Sequence, residues 1–412
     1  MSSLPRNPRP RGMSTQRRAL MLAIACVLSV LAFQVVDRGR LTVNDFLEYW
    51  TAARLDLAGQ DPYSPTAMYE LEKQTGLHSE KPLMMWNPPW VLPFVVPLGL
   101  MSLGKARTLV LLLTLVIVFG CADWLWRFYG GAAQRRWVAW GLACTFAPAM
   151  VCITSGQIAP VVLLGVVLFL WLEQRSLHFA AGAAMLLIAF KPHLLYLFWL
   201  VAALWIVRNR RWPLAAGALA AIAAATAVAV LISKDLLLHY WAAWRSASAL
   251  ALYAPPLGGL LRMAFGWRRY WLQFVPALPG LAWCIWWFRK RPDAKWRRDL
   301  PLLLVVSVCT SPYGWLFDQV VLLPALLKRA VEFDRPCRVL ATTALMLYVA
   351  ANLVIAALAV SNHAIQSYLY SWAAPLWLVL YVATASPEVS TPDAPATALP
   401  NPADTTLAEI VG

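Results

Sequence analysis

"ALMLAIACVLSVLAFQVVDRGRLTVNDFLEYW", residues 19–50, runs through apolar residues to Val36 and then turns to acids set among aromatics. The first eighteen residues fall within the roughly 17–25 that a helix needs to cross a bilayer. Five arginines (Arg6, Arg9, Arg11, Arg17, Arg18) precede them. The run has the flanks of a signal peptide, but no small-residue cleavage site follows it. It reads as an uncleaved first membrane helix that starts in the cytoplasm.

Similar runs recur along the chain, near 107–126, 137–152, 157–172, 178–190, 192–207, 213–232, 270–288, 299–313, 316–330, 338–359 and 367–384. The expected fold is therefore an all-α polytopic membrane protein of about twelve transmembrane helices, with both termini inside. Composition agrees: 60% of residues are hydrophobic and 13% charged, against about 25% charged in soluble domains. The short, two-periodic strands of an outer-membrane barrel are not present. The net charge of +15 lies in short loops between apolar runs, as the positive-inside rule requires, so no nucleic-acid partner is expected. Six of the seven cysteines fall within or beside apolar segments and Cys337 in a basic loop. With no CxxC, they read as small core residues.

This topology divides the chain into a basic cytoplasmic N-terminus (1–18), a membrane domain (19–384) and a Pro/Ser/Thr/Ala-rich tail (385–412) expected to be disordered. Two large loops fall outside, at 37–87 and 233–269. Segment 88–103, "PPWVLPFVVPLGLMSL", is apolar but short and carries four prolines. It is read as re-entrant or interfacial.

The first external loop has the marks of a folded unit. Asn44 can cap a helix whose first turn holds Asp45. Phe46, Tyr49, Trp50, Ala53 and Leu57 then form an apolar stripe, with Asp45, Glu48, Ala52 and Asp56 on the adjoining face. Such a helix is expected to lie on the membrane surface with its acids toward a cavity or water. Asp56 and Asp61 read as surface or turn residues. After the turn "GQDPYSP" (59–65), Ser64 and Pro65 fit the start of a second short helix and Gly76 its end.

These segments together resemble glycosyltransferase family 87, the polyprenyl-phosphate-mannose-dependent mannosyltransferases of the GT-C superfamily. The resemblance runs through Asp45-Phe46, Gly59-Gln60-Asp61-Pro62-Tyr63, Trp86-Asn87-Pro88-Pro89, Gly156-Gln157, Lys191-Pro192, and Ser311-Pro312 with Trp315. It extends from about residue 20 to 385. The chain departs from the family's pattern where Asn87 stands directly before Pro-Pro, and where Phe317-Asp318 follows Trp315.

The resemblance implies a GT-C-like bundle, a polyprenyl-phosphate sugar donor, a glycolipid or glycan acceptor, no metal or other cofactor, and Asp45 as catalytic base. Transfer from a lipid phosphate needs a base for the acceptor hydroxyl and cations for the departing phosphate. One carboxylate suffices for a direct inverting displacement. Glu48, one turn on, is the rival base. A helix start is expected to lower the pKa of Asp45, although an acid there also has a purely structural use.

The external cationic candidates are Lys191, His193, Arg245 and Arg262. An ionisable residue in a tight turn between apolar helices is costly and so suspect. Lys191 can equally snorkel to the interface, His193 can be an interfacial histidine, and Arg245 can meet lipid headgroups. Asp318, at a span end, is placed to pair with one of these cations. Tyr63, Trp86 and Gln157 complete the candidate substrate contacts, though aromatic belts explain most external tryptophans without a ligand. No DxD-like motif stands in an external loop, so a nucleotide-sugar mechanism with a metal has no support. Other classes remain open: a twelve-helix transporter or flippase, whose paired halves are not evident here, and an inactive envelope scaffold.

Overall fold

The computed structural model describes residues 45–77, 80–246, 257–291, 294–332, 338–360 and 367–385. The expected first span (19–36), Asn44, Cys26, Cys337 and nearly all of the tail lie outside the described residues. Within them the chain is helical throughout, in α-helices joined by short 3-10 segments, and no strand occurs.

Among the described residues three helices are long and apolar enough to cross a membrane: Leu103–Phe128, Trp212–Ile232 and Thr342–Ala359. A fourth span arises if the pair Ala133–Thr145 and Ala147–Ser155, bent by 61°, is counted as one. Shorter apolar helices include Ala159–Gln174, His178–Ile188 and Tyr196–Asn209. The expected count of twelve is therefore matched only in part. Hydropathy marks an apolar run but is blind to where its backbone leaves the α-conformation. The run at 192–207 becomes helical only at Tyr196. Those at 270–288 and 316–330 open with the 3-10 segments Tyr270–Phe274 and Leu316–Leu322.

The segment expected to be the first external loop does not carry the expected surface-lying helix. Its helix, Phe46–Leu57, starts from Asp45 as N-cap, without a side-chain capping bond. Both faces are packed: Phe46, Tyr49, Trp50 and Ala53 are buried, and so are Asp45, Ala52 and Asp56. Leu57, on the expected apolar stripe, is exposed. The cause is the segment 88–103, whose helix Leu92–Gly99 lies across it. Arg54 donates to the Gly99 carbonyl at 3.0 Å and Trp50 Nε1 to the Met101 carbonyl at 3.0 Å. Asp56, expected at the surface, is buried with no partner for either oxygen. The second short helix, Pro65–Gln74, forms as its signals predict: Ser64 Oγ accepts from Ala67 N and Gly76 takes φ +93°.

Behind this unit, helices Ala159–Gln174, His178–Ile188 and Trp212–Ile232 pack in a tight row. At Gly182 the second and third of these helices come so close that a Cβ would strike the Leu214 carbonyl. Backbone contact of this kind is how apolar helices associate where lipid offers no hydrophobic drive.

Candidate active site

The C-terminus of helix Ala147–Ser155 fixes the first element of the site. Gly156 closes it in the left-handed conformation, φ +70°, a backbone state open to glycine at little cost. A Cβ there would lie 2.5 Å from that of Phe46. The next side chain, Gln157, is thereby aimed at the start of the first-loop helix. Gly156→Ala is expected to destabilise the protein by about 1–3 kcal/mol from backbone strain, more if Phe46 cannot move. Thermal unfolding of purified protein in one detergent measures this, and an unchanged midpoint contradicts the packing described.

Gln157 sits between charged groups. Its Nε2 donates to Asp45 Oδ2 at 2.6 Å, while its Oε1 accepts from Lys191 Nζ at 2.9 Å and from Tyr49 OH at 3.0 Å. Two donors on the oxygen fix which way the amide points, so its N–H must face Asp45. Lys191 Nζ also donates to Asp318 Oδ1 at 2.7 Å, a buried ion pair. Asp318 Oδ2 accepts the Trp315 N–H at 2.9 Å. Asp45, Gln157, Lys191 and Asp318 thus form one continuous buried chain. Its members come from four regions widely separated in sequence.

Lys191 is held by its turn as well as by its partners. Asn87 Nδ2 donates to the Phe190 carbonyl at 3.1 Å and Trp90 Nε1 to the Ala189 carbonyl at 3.0 Å. Tyr63 OH in turn donates to the Asn87 carbonyl at 3.2 Å. Carbonyls at a helix end lack intrahelical partners, and here Asn87 of the Trp-Asn-Pro-Pro step and Trp90 just after it supply them. Two of the three Lys191 N–H bonds are spent on Gln157 and Asp318. The ring of Phe317 lies 5.0 Å from its nitrogen.

Ionisation differs from the sequence expectation at two places. Burial pushes the Asp45 carboxyl up to about 6, against the lowering effects of the Gln157 hydrogen bond and the Lys191 charge. The helix start does not win, because loss of water outweighs it. Burial pushes the His193 imidazole down to about 4, so at neutral pH it is no cation. It offers instead a buried Nε2 with no partner, beside the Tyr313 ring. Glu48 is half-buried, and burial, then the charge of Asp45, holds its carboxyl well above the usual range.

The remaining candidates fall outside the chain of contacts. Arg245 is exposed, with its guanidinium 5.1 Å from the Trp241 ring. Trp86 meets Trp244 edge-on at 6.0 Å, and Tyr63 meets Tyr240 at 5.2 Å, so both reach helix Leu236–Arg245. Arg262 is fully buried, bonded to the Trp267 carbonyl and Gln273. The sequence reading missed Tyr49, Asn87 and Trp90 as structural partners of the site. Asn87 carried a signal, as the polar residue standing before Pro-Pro. Among the described residues no three His, Cys, Asp or Glu side chains converge as metal ligands would.

The apolar helices are those of a membrane protein, and a buried acid–amide–lysine–acid chain among them is costly enough to mark a functional site. The model of glycosyltransferase family 87 matches residues 86–312, more than half of the chain, and the protein belongs to that family. It is a glycosyltransferase. Gln157 and Lys191 fall inside the matched segment, Asp45 and Asp318 outside it. No curated protein and no solved structure gives a significant match. Nothing in the fold or the family match favours a transporter.

Proposed function

We propose that the protein transfers a hexose, mannose by the family resemblance, from a polyprenyl-phosphate donor to a glycolipid or glycan of the cell envelope. In this reading the reaction takes place on the outer face of the cytoplasmic membrane. The observation that supports it best is the Asp45 carboxylate bonded to Gln157 at the end of a chain anchored by the Lys191–Asp318 pair.

The reaction is a single inverting displacement. An acceptor hydroxyl attacks the anomeric carbon, the bond from that carbon to the phosphate oxygen breaks, and Asp45 takes the hydroxyl proton. A base with a pKa near 6 is mostly ionised at neutral pH and still basic enough to accept that proton. The one uncommitted N–H of Lys191 and the unpartnered Nε2 of His193 are the groups this chain offers to the departing phosphate. Pairing with Asp318 keeps Lys191 oriented. The unbonded oxygen of Asp45 is the proton-accepting atom.

Purified protein in nanodiscs, supplied with radiolabelled polyprenyl-phosphate mannose and a membrane glycolipid extract, tests the proposal. Label is expected to pass to a glycolipid of one additional hexose, with excess EDTA present. Transfer from a nucleotide sugar in place of the lipid donor contradicts it.

A further inference from the structure

The helix that ends at Gly156 and delivers Gln157 begins at a break. Phe146 leaves the α-conformation, and the segments Ala133–Thr145 and Ala147–Ser155 meet there at 61°. Pro148 accounts for the break: it has no N–H to give to the preceding turn, and in a continuous helix its ring would strike the carbonyl of Cys144. A helix start needs partners for its first N–H groups. The Ala149 and Met150 N–H groups both donate to the Phe146 carbonyl, at 2.9 and 3.2 Å. That leaves the Ala147 N–H, which donates to Asn352 Oδ1 at 2.7 Å.

Asn352 belongs to the span Thr342–Ala359, is 7% exposed, and lies beyond residue 312, where the family match ends. Its Nδ2 donates to the Tyr348 carbonyl at 2.8 Å, so the amide has one orientation and its oxygen faces the break. One turn back, Tyr348 OH lies 3.1 Å from Thr145 Oγ1. Two side chains of one helix thus hold opposite sides of the bend. Helix Ala147–Ser155 packs against that span and against the segment Leu316–Leu322, which bears Asp318. Its far end presents Gln157 to Asp45 Oδ2 at 2.6 Å. Nine residues make about two and a half turns of hydrogen-bonded backbone, so a tilt at the first turn is carried to the last.

We infer that Asn352 is a positioning residue for sugar transfer: by holding the Ala147 N–H it sets the tilt of helix Ala147–Ser155 and so the hydrogen bond from Gln157 to Asp45. The inference rests on Asp45 as the base in the reading above. The charged or titratable groups that act on Asp45 are Lys191 and Asp318, with Glu48, Tyr49 and, on the helix itself, Cys152. Asn352 carries no charge, so replacing it reaches Asp45 only by moving Gln157 or one of these.

The test is an infrared pH titration of the full-length protein in nanodiscs, with the Asp45 carboxyl band identified by its loss in Asp45→Asn. A weakened bond from Gln157 favours the carboxylate less. Asn352→Leu is therefore expected to move the Asp45 titration to higher pH, the direction expected for Gln157→Leu. It is also expected to lower kcat/KM by up to roughly 10²-fold, the scale of a misplacement remote from the chemistry. Added to Gln157→Leu, it is expected to shift the titration no further. Tyr348→Phe removes the bond on the other side of the bend and is expected to leave the titration where it is. A titration unmoved in Asn352→Leu, moved further on top of Gln157→Leu, or moved equally by Tyr348→Phe overturns the proposal, whatever the melting temperature does. If Asn352→Leu does not fold, Asn352→Ser, too short to reach Ala147 N, is read by the same criteria. The titration needs no turnover, so absence of transfer from the lipid donor refutes the donor reading while the role of Asn352 is still decided.

Discussion

Asp45→Asn is expected to lower the rate of sugar transfer by roughly 10²–10⁴-fold, the usual contribution of a positioned general base. An asparagine oxygen still accepts from Gln157 Nε2, so the 2.6 Å contact and the start of helix Phe46–Leu57 survive. What is lost is the capacity to take a proton. The measurement is single-turnover transfer at saturating donor, with thermal unfolding to show that the fold is kept. Glu48→Gln is the control, since Glu48 is the acid one turn on from Asp45 and is not among the hydrogen-bond partners of Gln157, which are Asp45, Lys191 and Tyr49. It is expected to retain most of the activity. A rate lost in Glu48→Gln and kept in Asp45→Asn would assign the base to Glu48.

Lys191→Met is expected to affect both stability and activity. Breaking a buried ion pair by removing one partner typically costs about 3–5 kcal/mol, because the other charge stays buried and unpaired. Asp318 is 0% exposed and would keep only the Trp315 N–H. Lys191→Met/Asp318→Asn removes both charges and is expected to recover much of the lost stability without recovering transfer. Urea or thermal unfolding in detergent separates the two effects. Equal destabilisation of the single and double variants would mean that the pair contributes little. Transfer restored in the double variant would remove Lys191 from the phosphate's surroundings.

The sequence carried the identities at the site better than their physical setting. Asp45, Gln157, Lys191 and Asp318 all stand in turns or helix ends between apolar runs, where polar side chains are costly, and all four converge. The pairing foreseen for Asp318 falls to Lys191. Arg245 is a candidate on different grounds, as a cation in an aromatic stretch, and its helix, Leu236–Arg245, leaves it exposed. Charge in an external aromatic stretch does not distinguish a site from an interface.

Other features depended on distant packing that periodicity cannot report. The stripe on helix Phe46–Leu57 suggested one buried face, because nothing local indicates that Leu92–Gly99 covers the other. For the same reason the helix start at Asp45 pointed to a lowered pKa, while burial by far-off segments raises it. The signals that did translate directly are local ones: Ser64-Pro65 at a helix start and Gly76 at its end. The span count shows the same division, since apolar runs were visible and the bend at Phe146 or the 3-10 opening at Leu316 was not.

The most direct test of the account is kcat/KM against pH for the parent and for Gln157→Leu. The base must be ionised, so the rate is expected to rise as pH climbs through the raised pKa of Asp45, about 6, and to level off above it. The donor is a phosphodiester and does not titrate in this range, so the acid limb belongs to the enzyme. Gln157 donates a hydrogen bond that favours the charged carboxylate. Gln157→Leu removes it and is expected to move the limb to higher pH. A limb near pH 6 that shifts upward in Gln157→Leu is the predicted result. A profile flat from pH 5 to 8, or the same limb in both proteins, would contradict it.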